Sequence, residues 1–576
     1  MGADDRVVTM VAPRARRGQL DPIDGRAVRI TGGLWADRIA INRDRTIGHG
    51  LAQLEASGAL GNFRNAARGT GLYVGGQDDA GTVFPFLDSD VYKWLEAVGW
   101  ELGRAPDPEL GMAASAVVDL VAAAQRPDGY LNTYVQLSGR APFSDLQWGH
   151  ELYCGHLLQA AVAWHRAIGD DRLLAVARRA IERIDQELGP AGRDGVDGHP
   201  EIEMALVELS RIDVDERALA LARHLLDQRG KGLLREGRFG AGYWQDRLPV
   251  REAPTVVGHA VRQLYLDCGA VDVAVETGDD ELLQAVIRRW DEMRAARTYL
   301  TGGVGSRHRD ESFGAPYELP SDRAYTETCA AIGSVMLAWR LLLATGEERF
   351  ADAIERAMLD AVLPGLSLDG QAFYYVNPLQ RRPAVAPESV SARRPWYPCA
   401  CCPPNLMRTL SSFEQLLATT DAGGLQLHQY ATGDLSATLA GGRVGLRIQT
   451  DYPWDGHVSI RVEHAPAQPW TLGLRVPEWC QAWSLRLRGD PVAGVVRAGR
   501  IVIERAWAAG DHVELDLEMP ARLTVPDPRI DAVRGTVAVE RGPLVYCLED
   551  ADLPAGVAMA DVAIDASAEP RVEMEL

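Results

Sequence analysis

Two short clusters in this 576-residue chain bring together residue types that can hold a metal and attack a carbon. They are Glu327 and Cys329 in Tyr325-Thr-Glu-Thr-Cys329, and Cys401 and Cys402 in Cys399-Ala-Cys-Cys-Pro-Pro-Asn405. Three soft thiolates and one carboxylate suit a tetrahedral Zn²⁺ ion, which prefers sulfur and nitrogen donors and accepts a carboxylate oxygen. Residue type alone leaves three readings open: a closed structural zinc site, a reactive thiolate, or no metal. The structural site is the simplest of these, because four protein ligands leave no position for water. Glu327 and Cys329 are two apart, which on an ideal helix points them about 200° away from each other. They can share one ion only on a non-helical stretch or at a distorted first turn, so the regular helix is expected to begin after Cys329. Pro403-Pro404 suits the opening of another helix, which puts the sulfurs of Cys401 and Cys402 at an N-terminus. The partial positive charge there, and a metal, would each favour thiolate at neutral pH.

Other polar groups of catalytic type lie in Gly-rich, helix-terminal places. Glu311 belongs to the loop from Thr301 to Gly314, whose glycines let backbone approach a ligand closely. His150, His199 and His259 each follow a glycine and precede a predicted helix. Tyr374 and Tyr375 offer a stacking or hydrogen-bonding wall, and Trp94, Trp148, Trp396 and Trp454 could cover sugar faces. Each has a bland explanation as well: a solvated carboxylate, helix caps, core aromatics. His156, His165, His224 and His428 carry only that explanation, and Cys154, Cys268, Cys480 and Cys547 read as small buried hydrophobes.

Positioning such groups falls to a long helical region. Apolar residues recur at three- and four-residue intervals from about 36 to 419, in some twelve segments: 36–56, 89–104, 107–126, 148–168, 170–188, 199–212, 214–228, 257–278, 279–298, 323–345, 347–363 and 403–419. A turn recurs between them, as Ile168-Gly-Asp-Asp171, Thr277-Gly-Asp-Asp280 and Thr345-Gly-Glu-Glu348, with a looser copy at 213–216. Glycine can close one helix in the left-handed conformation while the acidic pair favours the next N-terminus. Six hairpins closing in a ring give an (α/α)₆ toroid whose alternate helices line a cavity, with all three Gly-His histidines at one rim; an open solenoid is the rival. Beyond about 420 the period becomes two, as in Val458-Ser-Ile-Arg-Val462 and Val513-Glu-Leu-Asp-Leu517, which predicts an antiparallel β-sandwich, jelly-roll-like. Expected domains are an N-terminal segment 1–35 whose Val28-Arg-Ile30 can add a strand to the β region, a catalytic barrel 36–420 and a β-sandwich 421–576.

Composition narrows the partners. Sixty Lys+Arg against 80 Asp+Glu give a formal charge of −20 without a charged block, which argues against nucleic acid and anionic membranes. Eight cysteines are too sparse for a disulfide framework and suggest reduced thiols in the cytoplasm. No secretory signal is visible, and no stretch reads as long and apolar enough to span a bilayer.

Taken in order, Asp88-Ser-Asp-Val-Tyr-Lys-Trp94, His150-Glu-Leu-Tyr153, the Thr301-Gly-Gly loop with Glu311, Glu327-Thr-Cys329, Cys401-Cys-Pro-Pro-Asn405 and Arg541-Gly-Pro-Leu-Val-Tyr546 resemble the bacterial β-L-arabinofuranosidases of glycoside hydrolase family 127. The resemblance runs over nearly the whole chain. It implies an (α/α)₆ barrel followed by β-sandwich domains, and a zinc-bound cysteine as nucleophile, which reverses the structural-site preference. Cys401 matches the nucleophile; Glu327, Cys329 and Cys402 match the other zinc ligands; Glu311 matches the general acid/base, with a pKa near working pH; His150, His199, His259 and Tyr375 match residues that hold furanoside hydroxyls. The implied partner is an arabinofuranose-containing oligosaccharide or glycoside, and a homodimer is one candidate assembly. Alternatives are a hydrolase of another furanoside or branched acidic sugar, a sugar isomerase or epimerase on the same toroid, and a carbohydrate-binding scaffold with structural zinc.

Overall fold

The computed structural model describes residues 8–11, 18–77, 81, 83–152, 154–213, 216–308, 310–381 and 392–573, with nothing said of the Arg238 side chain. Tyr153, the middle of the looser turn at 213–216 and the C-terminal residues 574–576 lie outside the described residues. The helices, in chain order, are α1 (Gly33–Ile41), α2 (Ile47–Ala56), α3 (Ala59–Arg68), α4 (Asp88–Arg104), α5 (Pro108–Ala124), α6 (Thr133–Ser138), α7 (Gly155–Ile168), α8 (Arg172–Leu188), α9 (Ile202–Ile212), α10 (Arg217–Gln228), α11 (Ala260–Thr277), α12 (Asp280–Ala296), α13 (Thr328–Thr345), α14 (Arg349–Ala357) and α15 (Cys402–Ser412).

Six of them close a ring. Helix α4 packs on α7, α7 on α9, α9 on α11, α11 on α13, α13 on α15, and α15 returns to α4. The solenoid alternative is thereby excluded, and the fold is an (α/α)₆ toroid. Helix α11 is buried on nearly every face, as befits an inner wall, whereas the outer α8 buries one stripe: Leu173, Leu174, Val176, Ala177, Ala180, Ile181, Ile184 and Leu188. Helix α13 is long and apolar enough to cross a membrane, contrary to the expectation that no segment is. Its residues are 89% buried inside the protein, so that apolarity belongs to the core. The short helices α3 and α6 have no counterpart in the predicted twelve.

The recurring turns end their helices as expected. Gly169, Gly278 and Gly346 take φ of 75°, 72° and 70° after α7, α11 and α13. Of the acidic residues that follow, Asp279 caps directly, accepting from the Leu282 N–H at 3.0 Å. These inner-to-outer turns are short, whereas the outer-to-inner connections 125–154, 189–201, 229–259, 297–327 and 358–401 are long. Alternation of the helices puts all the long connections at one rim, together with the N-termini of the inner helices.

The strands are β1 (Asp21–Pro22), β2 (Val28–Gly32), β3 (Ala418–Thr420), β4 (Gly424–Leu427), β5 (Thr432–Leu439), β6 (Gly442–Thr450), β7 (His457–His464), β8 (Trp470–Arg475), β9 (Trp483–Leu487), β10 (Asp490–Pro491), β11 (Val496–Arg497), β12 (Arg500–Arg505), β13 (His512–Leu517), β14 (Ala521–Thr524), β15 (Ala538–Arg541) and β16 (Leu544–Tyr546). Among the described residues they form three sheets, ordered β1-β3-β4-β8-β12-β11, β10-β9-β13-β7-β6-β5-β2 and β14-β15-β16. Pairing is antiparallel except between β4 and β8, which the alternating pattern alone does not reveal. In β7, Val458, Ile460 and Val462 face inward, which fixes the register. Strand β2 joins the seven-stranded sheet beside β5, and β1 pairs with β3, so the N-terminal segment ties into both larger sheets.

A buried ion cluster links barrel to sandwich. Arg475 of β8, with no exposure, pairs with Asp352 at 2.6 Å and Glu355 at 2.5 Å, both on α14. Trp479 donates to Glu355 at 3.1 Å, and Tyr452 also donates to it. Removing one partner strands the opposite charge, so Arg475→Met is expected to cost about 3–5 kcal/mol. Thermal unfolding followed by circular dichroism checks this. An unchanged midpoint would show that the cluster contributes nothing net.

Candidate active site

The starts of α13 and α15 lie side by side at the loop-bearing rim. Glu327 caps α13 in an extended conformation, φ −58° and ψ 136°, and Cys329 sits in the first turn. The helix therefore begins at Thr328, earlier than expected. It is the extended Glu327, rather than a non-helical Cys329, that lets the two side chains meet. The 373–377 segment lies alongside: the Thr328 N–H donates to the Tyr375 carbonyl at 3.0 Å, and Asn377 Nδ2 donates to Thr328 Oγ1 at 3.0 Å. Cys401 is the N-cap of α15, Cys402 is its first residue, and Pro403 and Pro404 follow inside its first turn.

The four donor atoms of Glu327, Cys329, Cys401 and Cys402 all lie within 4.8 Å of one another. Sulfur–sulfur distances are 3.3 Å for Cys329–Cys402 and 3.8 Å for Cys401–Cys402. Glu327 Oε1 is 3.5 Å from the Cys401 sulfur and 3.6 Å from that of Cys402. Tetrahedral zinc, with bonds of about 2.3 Å to sulfur and about 2.1 Å to oxygen, needs donors about 3.6–3.8 Å apart. Glu327 Oε2 is buried with no hydrogen-bond partner among the described residues, as a carboxylate facing a cation would be. The donor set fits zinc, and so do the three distances among Glu327, Cys401 and Cys402, whereas the Cys329–Cys402 pair at 3.3 Å is closer than a shared ion would hold it.

Charge is shared unequally among these groups. Hydrogen bonds from the Cys329, Cys399 and Cys402 thiols, with the Lys93 ammonium nearby, hold Cys401 well below the usual thiol range against the opposing effect of burial. Burial pushes Cys329, Cys402 and Glu327 upward. Cys401 is also the member of the four that retains solvent exposure, the others being 0–3% exposed. The Tyr375 hydroxyl stands 3.1 Å from its sulfur and 3.6 Å from that of Cys399.

Opposite lies a row of imidazoles. Phe86 and His150 are 4.8 Å apart by ring centroid, His150 and His199 5.6 Å, and His199 and His259 6.1 Å. The structure thus brings the three Gly-His histidines together, although His150 and His199 sit on the loops before α7 and α9 and not on the helices predicted from 148 and 199. Burial keeps all three imidazoles below their ordinary pKa, so they are neutral donors and acceptors. His156 is fully buried, 3.0 Å from Gln159 and 3.3 Å from Glu201.

His259 Nε2 lies 2.8 Å from Glu311 Oε2, and Glu311 and Glu327 approach within 4.8 Å. Burial raises the Glu311 pKa, but hydrogen bonds from His259 and Tyr325 outweigh it and hold the carboxyl below the ordinary glutamate value. The expectation of a pKa near working pH does not hold for the resting pair. His150, Glu311 and Thr326 all have positive φ, 49°, 58° and 36°, a strain typical of residues fixed for function.

Sequence reasoning missed several groups here. Tyr325 hydrogen-bonds Glu311, and its place in the Glu327 motif was the available signal. Arg262, three residues after His259 on the same helix face, is 5% exposed and lies over the rings of Tyr243 and Trp244 at 5.1 and 4.5 Å. Of the tryptophans, Trp94 is core, donating to the Ile47 carbonyl, while Trp148 stands edge-on to Trp244. Cys154 and Cys268 are buried, but Cys480 is half-buried and Cys547 exposed, so the small-hydrophobe reading fails for those two.

Known proteins share this arrangement of domains. The chain matches the β-L-arabinofuranosidase GH127 catalytic domain over residues 27–415, the GH127 middle domain over 424–519 and the glycoside hydrolase family 127 C-terminal domain over 521–575. It is 35% identical to the non-reducing end β-L-arabinofuranosidase of Bifidobacterium longum subsp. longum over 97% of this chain and 90% of that protein. A crystal structure of a GH127 β-L-arabinofuranosidase from Geobacillus stearothermophilus T6 superposes with a TM-score of 0.86 at 36% identity, covering 91% of this chain and 86% of that one. A second GH127 β-arabinofuranosidase structure gives 0.87 at 33%, covering 93% and 86%. The chain belongs to glycoside hydrolase family 127, the β-L-arabinofuranosidase family, and is a glycoside hydrolase.

Proposed function

We propose that the chain is an exo-acting retaining hydrolase that releases terminal β-L-arabinofuranose, with Cys401 as nucleophile and Glu311 as general acid/base. The observation that carries this is the asymmetry of the sulfur cluster: the thiolate-prone, partly exposed member is Cys401, and a carboxylate on a histidine stands across from it. The name of the Bifidobacterium relative, which specifies the non-reducing end, supports the exo mode. Family membership favours hydrolysis over the isomerase, epimerase and binding-scaffold readings.

The reaction is a double displacement. His150, His199 and His259, neutral and in a row, hold furanoside hydroxyls and orient the anomeric carbon over the Cys401 sulfur. Protonated Glu311 gives its proton to the glycosidic oxygen as Cys401 attacks, and a thioglycosyl-enzyme forms. Glu311, now a carboxylate, takes a proton from water, which displaces the sulfur with net retention. In the resting state the His259 hydrogen bond keeps Glu311 ionised; diverting that bond to a sugar hydroxyl leaves burial to raise its pKa toward the acid role. Zinc held by Glu327, Cys329, Cys401 and Cys402 would supply the positive charge that keeps the nucleophilic sulfur ionised and fixed in direction.

Two measurements test the reading. A panel of nitrophenyl glycosides should show turnover of the β-L-arabinofuranoside, with the retained anomer formed first by NMR; turnover of other glycosides alone would refute the sugar assignment. Dialysis against a strong chelator should remove one zinc per chain and abolish activity, with recovery on adding Zn²⁺. Full activity in metal-free protein would refute the role of zinc.

A further inference from the structure

Lysine is almost absent from this chain. Of its 60 basic side chains only Lys93 and Lys231 are lysines; the remainder are arginine. Lys231 is exposed, but Lys93, on inner helix α4, is 1% exposed. It lies in the Asp88–Trp94 motif, to which the mechanism above gives no role. Its ammonium donates to the Cys401 carbonyl at 3.2 Å and stands 3.6 Å from Asp90 Oδ1. Asp90 first, and after it the Cys401 and Cys329 sulfurs, act on it as negative charges. The other nearby cation, Arg408, is committed to Glu96 and Gln159 at 2.7 and 2.6 Å and to Asn405.

A divalent ion held by three thiolates and one carboxylate leaves two negative charges in excess, and a buried excess of charge is costly unless a partner offsets it. An ammonium is a compact point charge, whereas a guanidinium is a broad planar fork. That favours a lysine here in a chain that uses arginine at all but one of its other basic positions. Asp90 shares Lys93 with the cluster: its Oδ1 at 3.6 Å is beyond a good hydrogen bond, yet as a charge it acts on the ammonium more strongly than either sulfur, so it competes with the centre for the same cation. We propose that Lys93 is the counter-cation of the Cys₃Glu centre, a positioning residue that sets how tightly the ion is held and how much negative charge remains on the Cys401 sulfur. The proposal rests on the zinc reading above.

The test compares wild type, Lys93→Met and Asp90→Asn, all purified as full-length protein. Metal content of the wild type comes first: protein that binds no zinc overturns both the zinc reading and this proposal. With zinc present, chelator competition should show a loss of affinity of about 10- to 100-fold in Lys93→Met, the size usual for outer-sphere partners of metal sites. The sulfur-to-metal charge-transfer band of the Co²⁺-loaded variant should shift, kcat should fall, and KM for the arabinofuranoside should stay within about twofold. Zinc affinity and cobalt spectrum equal to wild type in a folded Lys93→Met protein would overturn the assignment to Lys93 alone. Asp90→Asn decides the matter if Lys93→Met does not fold. Removing the competing carboxylate frees the ammonium for the cluster and should tighten the ion several-fold, whereas mere loss of packing would loosen it; unchanged or weaker affinity would overturn the proposal.

Discussion

Replacing Cys401 by serine is expected to lower kcat by about 10⁴-fold or more, because a reaction path that depends on a covalent nucleophile loses nearly all of its advantage when that group is removed. That is at least about 5.5 kcal/mol of barrier. A serine hydroxyl in the same place would be protonated at neutral pH, since the neighbours that hold the Cys401 thiol well below its usual range act on a far weaker acid. The row of His150, His199 and His259 is untouched by the change, so arabinose binding measured by calorimetry should persist while turnover is lost. Mass spectrometry of wild type quenched during turnover should show a pentosyl adduct on the peptide containing Cys401, absent from the variant. Retention of more than about 1% of wild-type kcat by the serine variant would refute the nucleophile assignment.

The second large effect is expected at Glu311 and depends on the leaving group. Proton donation matters most for a poorly departing alcohol, so Glu311→Gln should lose about 10³-fold or more on an arabinosyl oligosaccharide. With a nitrophenyl leaving group the first step hardly needs the proton; the slow step becomes hydrolysis of the thioglycosyl-enzyme, visible as a burst of nitrophenol followed by a slow phase. A small anionic nucleophile such as azide does not need the base and should restore turnover, giving a glycosyl azide of retained configuration. Equal losses for good and poor leaving groups, with no azide rescue, would mean that Glu311 acts by structure and not by proton transfer. His259 carries the associated prediction of direction: its hydrogen bond at 2.8 Å holds the resting carboxyl down, so the carboxyl rises once that bond is removed.

How far the sequence reached is instructive at particular residues. The toroid was legible because its inner and outer helices keep a 3.6-residue period, and because Gly169, Gly278 and Gly346 have a single physical reason to recur at left-handed helix ends. Helix starts were read too early for α7, α9 and α11, by three to seven residues. The cause is the same each time: the loops that carry His150, His199 and His259 are themselves buried and apolar-flanked, so hydrophobic pattern cannot separate them from helix. The sulfur cluster was legible from residue type, but the resting state of Glu311 was not, because it depends on a contact with His259, 52 positions away in sequence. Tyr325 and Lys93 escaped for a related reason. Both stood inside quoted motifs, yet only three-dimensional placement shows Tyr325 on the carboxylate and Lys93 beneath the Cys401 carbonyl.

The unequal lengths of the connections at the two ends of the barrel have an evolutionary consequence. Compact glycine turns at one end leave the ring little freedom, since lengthening them would pry apart the packed hairpins. The opposite end is built from extended segments that carry His150, His199, His259, Glu311 and Tyr375 as well as the Glu327 and Cys401 caps. Descendants of such a chain can therefore acquire new preferences for the group attached to the sugar only by changing the stretches between these fixed residues, while the sulfur centre, rooted at the starts of α13 and α15, passes unchanged from one specificity to the next.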